Sequence, residues 1–258
     1  MGRKRRIHIP NSVVHVVLKC HNSASLLWAD SDKELYLEKL TLGCEKYGYR
    51  VLSFSVQDNH IHLLLITPEE IIGKTLSEFM HYVNTLFSHE FNRRHNRSGT
   101  VWNGRYYAGG WIRVEKAFWM IMLLVWYVER NSWKRKHNRI RPERYRWCSW
   151  YYVRNGKEGP VRSELKYLIE KFFPEAKSYE EAVAKFEVLL GKDKPEWEEE
   201  LEGRVYLWMD SEGHRMVEVQ LRDLLKEHRK KLTQEGVRSW KVEVEYYSLL
   251  VLPVLRAA

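Results

Sequence analysis

Valine alternates with other residues from Ser12 to Cys20, with Val14, Val16 and Leu18 in one period-two register, and this predicts a strand. The period changes from Asp32 to Tyr47, where Leu35, Leu37, Leu40, Leu42 and Cys44 recur among charges. That spacing predicts a helix, and Gly48 closes it at a plausible C′ position. Tyr49 to Val56 and His60 to Thr67 read as two strands joined by the short polar link Gln57-Asp58-Asn59, a hairpin ended by Pro68. From Ile71 to Arg94 apolar residues fall at Ile72, Leu76, Phe79, Met80, Val83, Leu86, Phe87 and Phe91, a helical spacing that runs into the polar, basic stretch Asn92 to Arg97. Trp102 to Val114 predicts a further strand. Glu115 to Arg130 predicts a helix that is apolar on nearly every side between Ala117 and Val128, and so mostly buried.

The order β-α-β-β-α-β-α places an antiparallel sheet under helices on one face, the split βαβ or ferredoxin-like arrangement of an α+β protein. Residues 132–157 read as a basic, aromatic, irregular tail. Gly156-Lys157-Glu158-Gly159-Pro160 is the best candidate linker, which divides the chain into 1–157 and a smaller C-terminal α+β region, 158–258. In that region the pattern predicts helices near Ser163 to Phe173 and Ser178 to Leu190, and a hairpin from Arg204 to Met209 and Arg215 to Val219. A charged helix from Leu221 to Leu232 and a strand around Trp240 to Tyr246 follow.

Charge changes sign at the same linker. Residues 1–157 hold 26 Lys and Arg against 13 Asp and Glu, and residues 158–258 hold 17 against 21, so the net charge of +9 divides into +13 and −4. A positive potential confined to one part of a chain concentrates a polyanion there, and neutralised phosphates release counterions, so nucleic acid is the leading partner. A solvated basic surface is the competing reading. The 258 residues, 44% hydrophobic, suffice for one large core or two small ones, which excludes disorder and a disulfide miniprotein. Three cysteines without C-x-x-C spacing fit a reducing compartment, with the cytoplasm as the expected location. The longest apolar run, Ala117 to Val128, is far short of the roughly 20 residues that span a bilayer, so no membrane partner is expected.

His60-Ile61-His62 lies in the second strand of the hairpin. Residues two apart in a strand share a face, so both imidazoles can converge on one cation while Ile61 points away. Two polar residues on an exposed strand face is the alternative. Tyr127 and Asn131 are four apart near the end of the apolar helix and share one of its faces. Such a tyrosine is most often core packing with a hydroxyl at the rim. If the helix crosses the strand of His60 and His62, however, a cation would gain an amide oxygen from Asn131, and Tyr127 could attack a phosphate held there. A tyrosine hydroxyl, with a pKa of about 10, needs a cation to offset the charge that develops in this attack.

Further short motifs run in order along residues 1–152. They are Gly2-Arg3-Lys4-Arg5-Arg6-Ile7-His8-Ile9-Pro10, Tyr47-Gly48-Tyr49-Arg50-Val51 and Asn59-His60-Ile61-His62-Leu63-Leu64, then Phe91-Asn92-Arg93-Arg94-His95-Asn96-Arg97-Ser98-Gly99. After these come Val101-Trp102-Asn103-Gly104-Arg105-Tyr106, Tyr127-Val128-Glu129-Arg130-Asn131 and Tyr145-Arg146-Trp147-Cys148-Ser149. Collinear and correctly spaced, they resemble the single-tyrosine HUH transposases, and among these the REP-associated tyrosine transposases of the IS200-like group. The resemblance implies the ferredoxin-like HUH fold over residues 1–157, Mg²⁺ or Mn²⁺ as cofactor, and cleavage and rejoining of single-stranded DNA beside short hairpins. By matched position it makes His60 and His62 the metal pair, Asn131 the third ligand, and Tyr127 the nucleophile that leaves a 5′-phosphotyrosine. Arg3, Lys4, Arg5 and Arg6 would contact the guide sequence at the hairpin foot, with Arg93, Arg94, Arg97 and Arg105 as further DNA-binding candidates. A monomer or a homodimer is compatible with it.

Three departures stand out. Asp58 and Ser132 occupy positions where the family usually has proline, and Trp133-Lys134-Arg135-Lys136-His137 replaces a small apolar stretch. None removes a proposed reacting group. The alternative in another class is a domesticated hairpin-binding protein without turnover, which binds with a steep salt dependence and does not cut.

Overall fold

The computed structural model describes residues 12–70, 72–110, 117–133 and 140–191. Expectations that fall on Arg3, Lys4, Arg5 and Arg6, on residues 134–139, and on the hairpin, helix and strand between 204 and 246 lie outside the described residues.

Four strands form one antiparallel sheet: β1 (Val13–Lys19), β2 (Arg50–Val56), β3 (His60–Ile66) and β4 (Tyr107–Gly110), in the order β2-β3-β1-β4. β3 lies between β1 and β2, as the split βαβ arrangement requires. Helices α1 (Asp30–Tyr47) and α2 (Leu76–Arg94) follow β1 and β3, and α3 (Ala117–Glu129) follows β4. Register places Val17 opposite His62 and Lys19 opposite His60 on one side of β3, with Ser55 opposite His62 on the other. Pleat alternation then puts His15, Ser53, Ser55, His60 and His62 on one face, and Val16, Leu18, Phe54, Ile61 and Leu63 on the other, where all five are buried. The paired α1 and α2 cover this apolar face. They approach closely at Gly43, where a Cβ would collide with Val83 and Phe79.

α3 lies across the opposite, histidine-bearing face. The helices therefore occupy both faces of the sheet rather than one, because a helix apolar on nearly every side needs a second surface to bury against. Beyond it, α4 (Ser149–Arg154), α5 (Leu165–Phe172) and α6 (Tyr179–Gly191) pack on the same side, and the Trp126 indole N–H donates to the Leu189 carbonyl at 3.1 Å. Residues 161–191, which the linker places in a separate region, contribute Val161, Leu165, Ile169, Phe186 and Leu190 to the same buried core as the sheet. They also cover the outer edge of β2. Glu164 N–H donates to the Val51 carbonyl at 2.9 Å, and the Ser163 hydroxyl donates to the Leu52 carbonyl at 2.7 Å.

Two boundaries differ from the periodicity. α2 starts at Leu76 instead of Ile71, because Gly73 turns the chain at φ +68° and Thr75 caps the helix. The Thr75 hydroxyl accepts from Glu78 N–H while the Glu78 carboxylate accepts from Thr75 N–H at 2.8 Å, a capping box. Thr75→Ala is expected to lower stability by about 1 kcal/mol in urea denaturation. Of the strand expected from Trp102 to Val114, residues 111–114 lie outside the described residues, and among the described ones β4 alone is regular. Trp102 makes an isolated bridge to Cys20, after which Gly104 turns the chain at φ +66°.

Candidate active site

His62 is almost fully buried in the centre of the sheet, and His60 lies nearer its end and is half-buried. Their rings stand edge to face with centroids 5.1 Å apart, as the shared strand face requires. Each ring is oriented by a neighbour. His60 Nδ1 donates to the Asn59 amide oxygen at 2.7 Å, and His62 Nδ1 shares a hydrogen bond of 3.0 Å with Nε2 of His15 on β1. The first bond places a proton on His60 Nδ1, and the second holds one proton between His15 and His62; both orient the rings.

Tyr127 projects from α3 toward these rings. Its ring lies 5.5 Å from His62 and 6.0 Å from His15, edge-on to both. Burial pushes its hydroxyl above the ordinary tyrosine range, so near neutral pH the oxygen carries its proton. The helix therefore does cross the strand of the histidine pair. Asn131 lies one turn further on, where Nδ2 donates to the carbonyls of Tyr127 at 2.9 Å and Val128 at 3.2 Å. Those bonds tie the amide to the end of its own helix, leaving Oδ1 as the atom able to accept a cation.

Three residues of this face escaped the sequence reading. His15 is fully buried, and its only sequence signal is a lone polar residue within the run Val13 to Val17. Gln57 lies opposite His60, to whose carbonyl its N–H donates at 2.8 Å. Its amide nitrogen donates to Ser55 Oγ at 2.8 Å, and its Oε1 is buried with no hydrogen-bond partner among the described residues. Glu129, two residues beyond Tyr127, is fully buried and fastens α3 to its neighbours. Oε1 accepts from Ser53 Oγ at 2.7 Å on β2, and Oε2 accepts from Trp150 N–H at 2.9 Å on α4.

Burial raises the Glu129 carboxyl to about 7, against the lowering effect of its hydrogen bonds. A raised carboxyl binds its proton more tightly in the folded chain, so its contribution to stability is full below the ordinary carboxylate range and declines as pH rises toward 7. Wild type is therefore expected to lose stability relative to Glu129→Gln between about pH 5 and 7.5, at roughly 1.4 kcal/mol per unit of pKa difference. Paired urea titrations across that range measure this.

The arginines expected to bind DNA are placed unequally. Arg93 and Arg94 both clasp Glu90 at the end of α2, with Arg93 Nη2 at 2.6 Å and Arg94 Nε at 2.9 Å, and they hold that carboxyl down at about 2. Arg97 donates to the Thr100 carbonyl and lies over the Phe91 ring. These three stand at the end of the helix on the opposite face from Tyr127. Arg105 is exposed on the turn before β4.

The histidine pair thus lies on one face of an antiparallel sheet, beneath a tyrosine carried by the helix that crosses that face. Residues 8–119, which supply the sheet and the histidine pair, match the family model described as Transposase IS200 like. The likeness to an IS200-like transposase domain covers this segment of the chain. Tyr127 and Asn131 lie just beyond the matched residues. The chain also resembles a solved structure of a REP-associated tyrosine transposase bound to a REP hairpin, at 14% identity and a TM-score of 0.49, covering 63% of this chain and 92% of that one. A second likeness is to a chain from Deinococcus radiodurans R1 described as a candidate transposase, at 16% identity and a TM-score of 0.33, covering 48% of this chain and 95% of that one. No curated protein matches the chain. Among the described residues no helix is long and apolar enough to cross a membrane.

Proposed function

We infer that this chain is a transposase that cuts single-stranded DNA beside hairpins and rejoins it through a 5′-phosphotyrosine at Tyr127, with a divalent cation at His60 and His62. The observation that carries the reading is the Tyr127 ring set 5.5 Å from the His62 ring by a helix that crosses the strand of the pair. The choice of a hairpin substrate rests on the collinear sequence motifs.

The donor set suits such a cation. Among the described residues no three His, Cys, Asp or Glu side chains are placed to hold one ion together, so an ion at the pair would complete its shell with amide oxygen, phosphate or water. The buried Oε1 of Gln57 is one amide oxygen on this face, and the Oδ1 of Asn131, at the end of α3, would be a second. Two imidazoles with oxygen donors accommodate Mn²⁺ or Mg²⁺. When bound, the ion polarises a nonbridging phosphate oxygen and offsets the charge that develops on phosphorus.

The chain's own residues do the rest. The Tyr127 oxygen loses its proton and forms a bond to phosphorus, the bond from phosphorus to the 3′-oxygen breaks, and that oxygen leaves as a 3′-hydroxyl after gaining a proton. Glu129 holds α3 against β2 and α4, which keeps the tyrosine over the pair. His15 orients His62. Because the covalent intermediate retains the bond energy, a second 3′-hydroxyl can reverse the step with a new strand.

His15→Phe keeps the ring volume and removes the bond to His62, so Mn²⁺ affinity is expected to fall by about 10- to 100-fold in a calorimetric titration. The reading as a whole is tested with labelled single-stranded hairpin DNA from the repeats flanking the gene, incubated with Mn²⁺ or with EDTA. A metal-dependent nick with a protein-linked fragment supports it. Retarded DNA that is never cut, with any divalent ion, replaces it with a binding-only protein.

A further inference from the structure

The histidine-bearing face of the sheet continues past the pair onto β1 and β4. Register sets His62, Val17 and Tyr107 in one row across β3, β1 and β4, and sets Lys19 beside His60 in the row nearer the β2–β3 turn. Directly opposed residues of antiparallel strands point to the same side, so Val17, Lys19 and Tyr107 share the face of His60 and His62. Ring geometry agrees for Tyr107. Its ring stands edge-on to that of His15 at 6.3 Å, and His15 is the residue bonded to His62.

α3 packs against β2 and β3, so Tyr127 reaches the pair from one side while Tyr107 flanks it from the other. Both tyrosine rings are edge-on to His15, at 6.0 and 6.3 Å. Between them the floor of the face is β1. Exposure rises along that strand, from buried His15 through half-buried Val17 to exposed Lys19, so the floor opens to solvent at the end beside His60. Tyr107 is half-buried as well, with part of its side chain open to solvent.

These groups match the chemistry of an unpaired nucleotide. Lys19 brings a positive charge to the strand next to that of His60, and neighbouring strands are only about 4.8 Å apart. A phosphate adjoining one held at the pair would meet that charge. Val17 offers apolar surface and Tyr107 an aromatic ring. A cation on the backbone and an aromatic ring under the base are the general means by which proteins hold single strands, and the pairing is tolerant of sequence because every base has a π-face.

We propose that Lys19, Val17 and Tyr107 form a subsite for the nucleotide next to the scissile phosphate, with the Lys19 ammonium on its phosphate and the Tyr107 ring stacked on its base. The single strand then crosses the sheet from β3 over β1 to β4. The proposal rests on the nucleic-acid reading above and adds to it the course of the strand beside the cut.

The test uses the full chain carrying Tyr127→Phe, so that bound DNA stays uncut, with Mn²⁺ and hairpin DNA from the repeats flanking the gene. 2-Aminopurine replaces the bases of its single-stranded arm one at a time, and stacking on an aromatic ring quenches the fluorescence of this base. Quenching next to the cut is expected to be lost in Tyr107→Leu and kept in Tyr107→Phe. Tyr107→Leu should weaken binding about tenfold with no change in salt dependence. Lys19→Gln should instead lower the slope of log affinity against log salt by about 0.7, the release of one phosphate contact. An unchanged quench in Tyr107→Leu, or an unchanged slope in Lys19→Gln, overturns the subsite and leaves the proposed function standing. Hairpin DNA that the wild-type chain fails to retain overturns both.

Discussion

Tyr127→Phe is expected to abolish the protein–DNA adduct and to leave retention of hairpin DNA unchanged. Phenylalanine keeps the ring that lies edge-on to His62 and His15, so packing between α3 and the sheet is preserved. What it lacks is the one oxygen that can bond to phosphorus. Water at the same position lacks the tether and orientation of the side chain, so strand cutting is expected to fall by on the order of 10³-fold or more. A retardation assay and a denaturing gel on the same samples separate the two effects. An adduct that persists in the variant assigns the nucleophile to another residue.

His62→Ala is expected to be as severe for a different reason. The substitution removes an imidazole that is 5% exposed and leaves His15 without the partner it meets at 3.0 Å. Loss of one of two imidazole donors from a site otherwise filled by neutral oxygens should take Mn²⁺ binding below detection in a paramagnetic-resonance titration, and cleavage with it. Stability should also drop, by about 1–3 kcal/mol for the orphaned buried group. His60→Ala provides the control. His60 is half-buried at the end of β3 and its Nδ1 partner, Asn59, is local, so this variant should lose the metal with little loss of stability.

β1, α1, β2 and β3 stand within about two residues of where hydrophobic period placed them, because each buries one face and is closed by a strong turn signal such as Gly48 or Pro68. The start of α2 was harder to place. Ile72 continues the apolar spacing yet is 84% exposed, and the capping signature Thr75-Leu76-Ser77-Glu78 marks the true boundary. The histidine pair and the shared face of Tyr127 and Asn131 were legible because both follow from local spacing. That α3 lies over β3, on the face opposite α1 and α2, depends on tertiary packing.

His15, Gln57 and Glu129 belong to the same class of information. Each acquires its place only when β1, β2 and α4 are set beside β3 and α3, through the register of Val17 with His62 or the bond from Trp150 N–H to Glu129. The change of charge sign near residue 157 was legible, but the return of residues 161–191 to the first core was not. The helical patterns of α5 and α6 show an apolar face without showing which surface that face covers.

The most direct test of the central claim is to locate the covalent bond. The full chain is incubated with Mn²⁺ and a single-stranded hairpin substrate, digested with protease and nuclease, and its modified peptides are sequenced by mass spectrometry. A nucleotide joined through its 5′-phosphate to Tyr127, absent from the EDTA control, is the predicted result. A phosphonucleotide on any other side chain, or cut DNA with no modified peptide, contradicts the account.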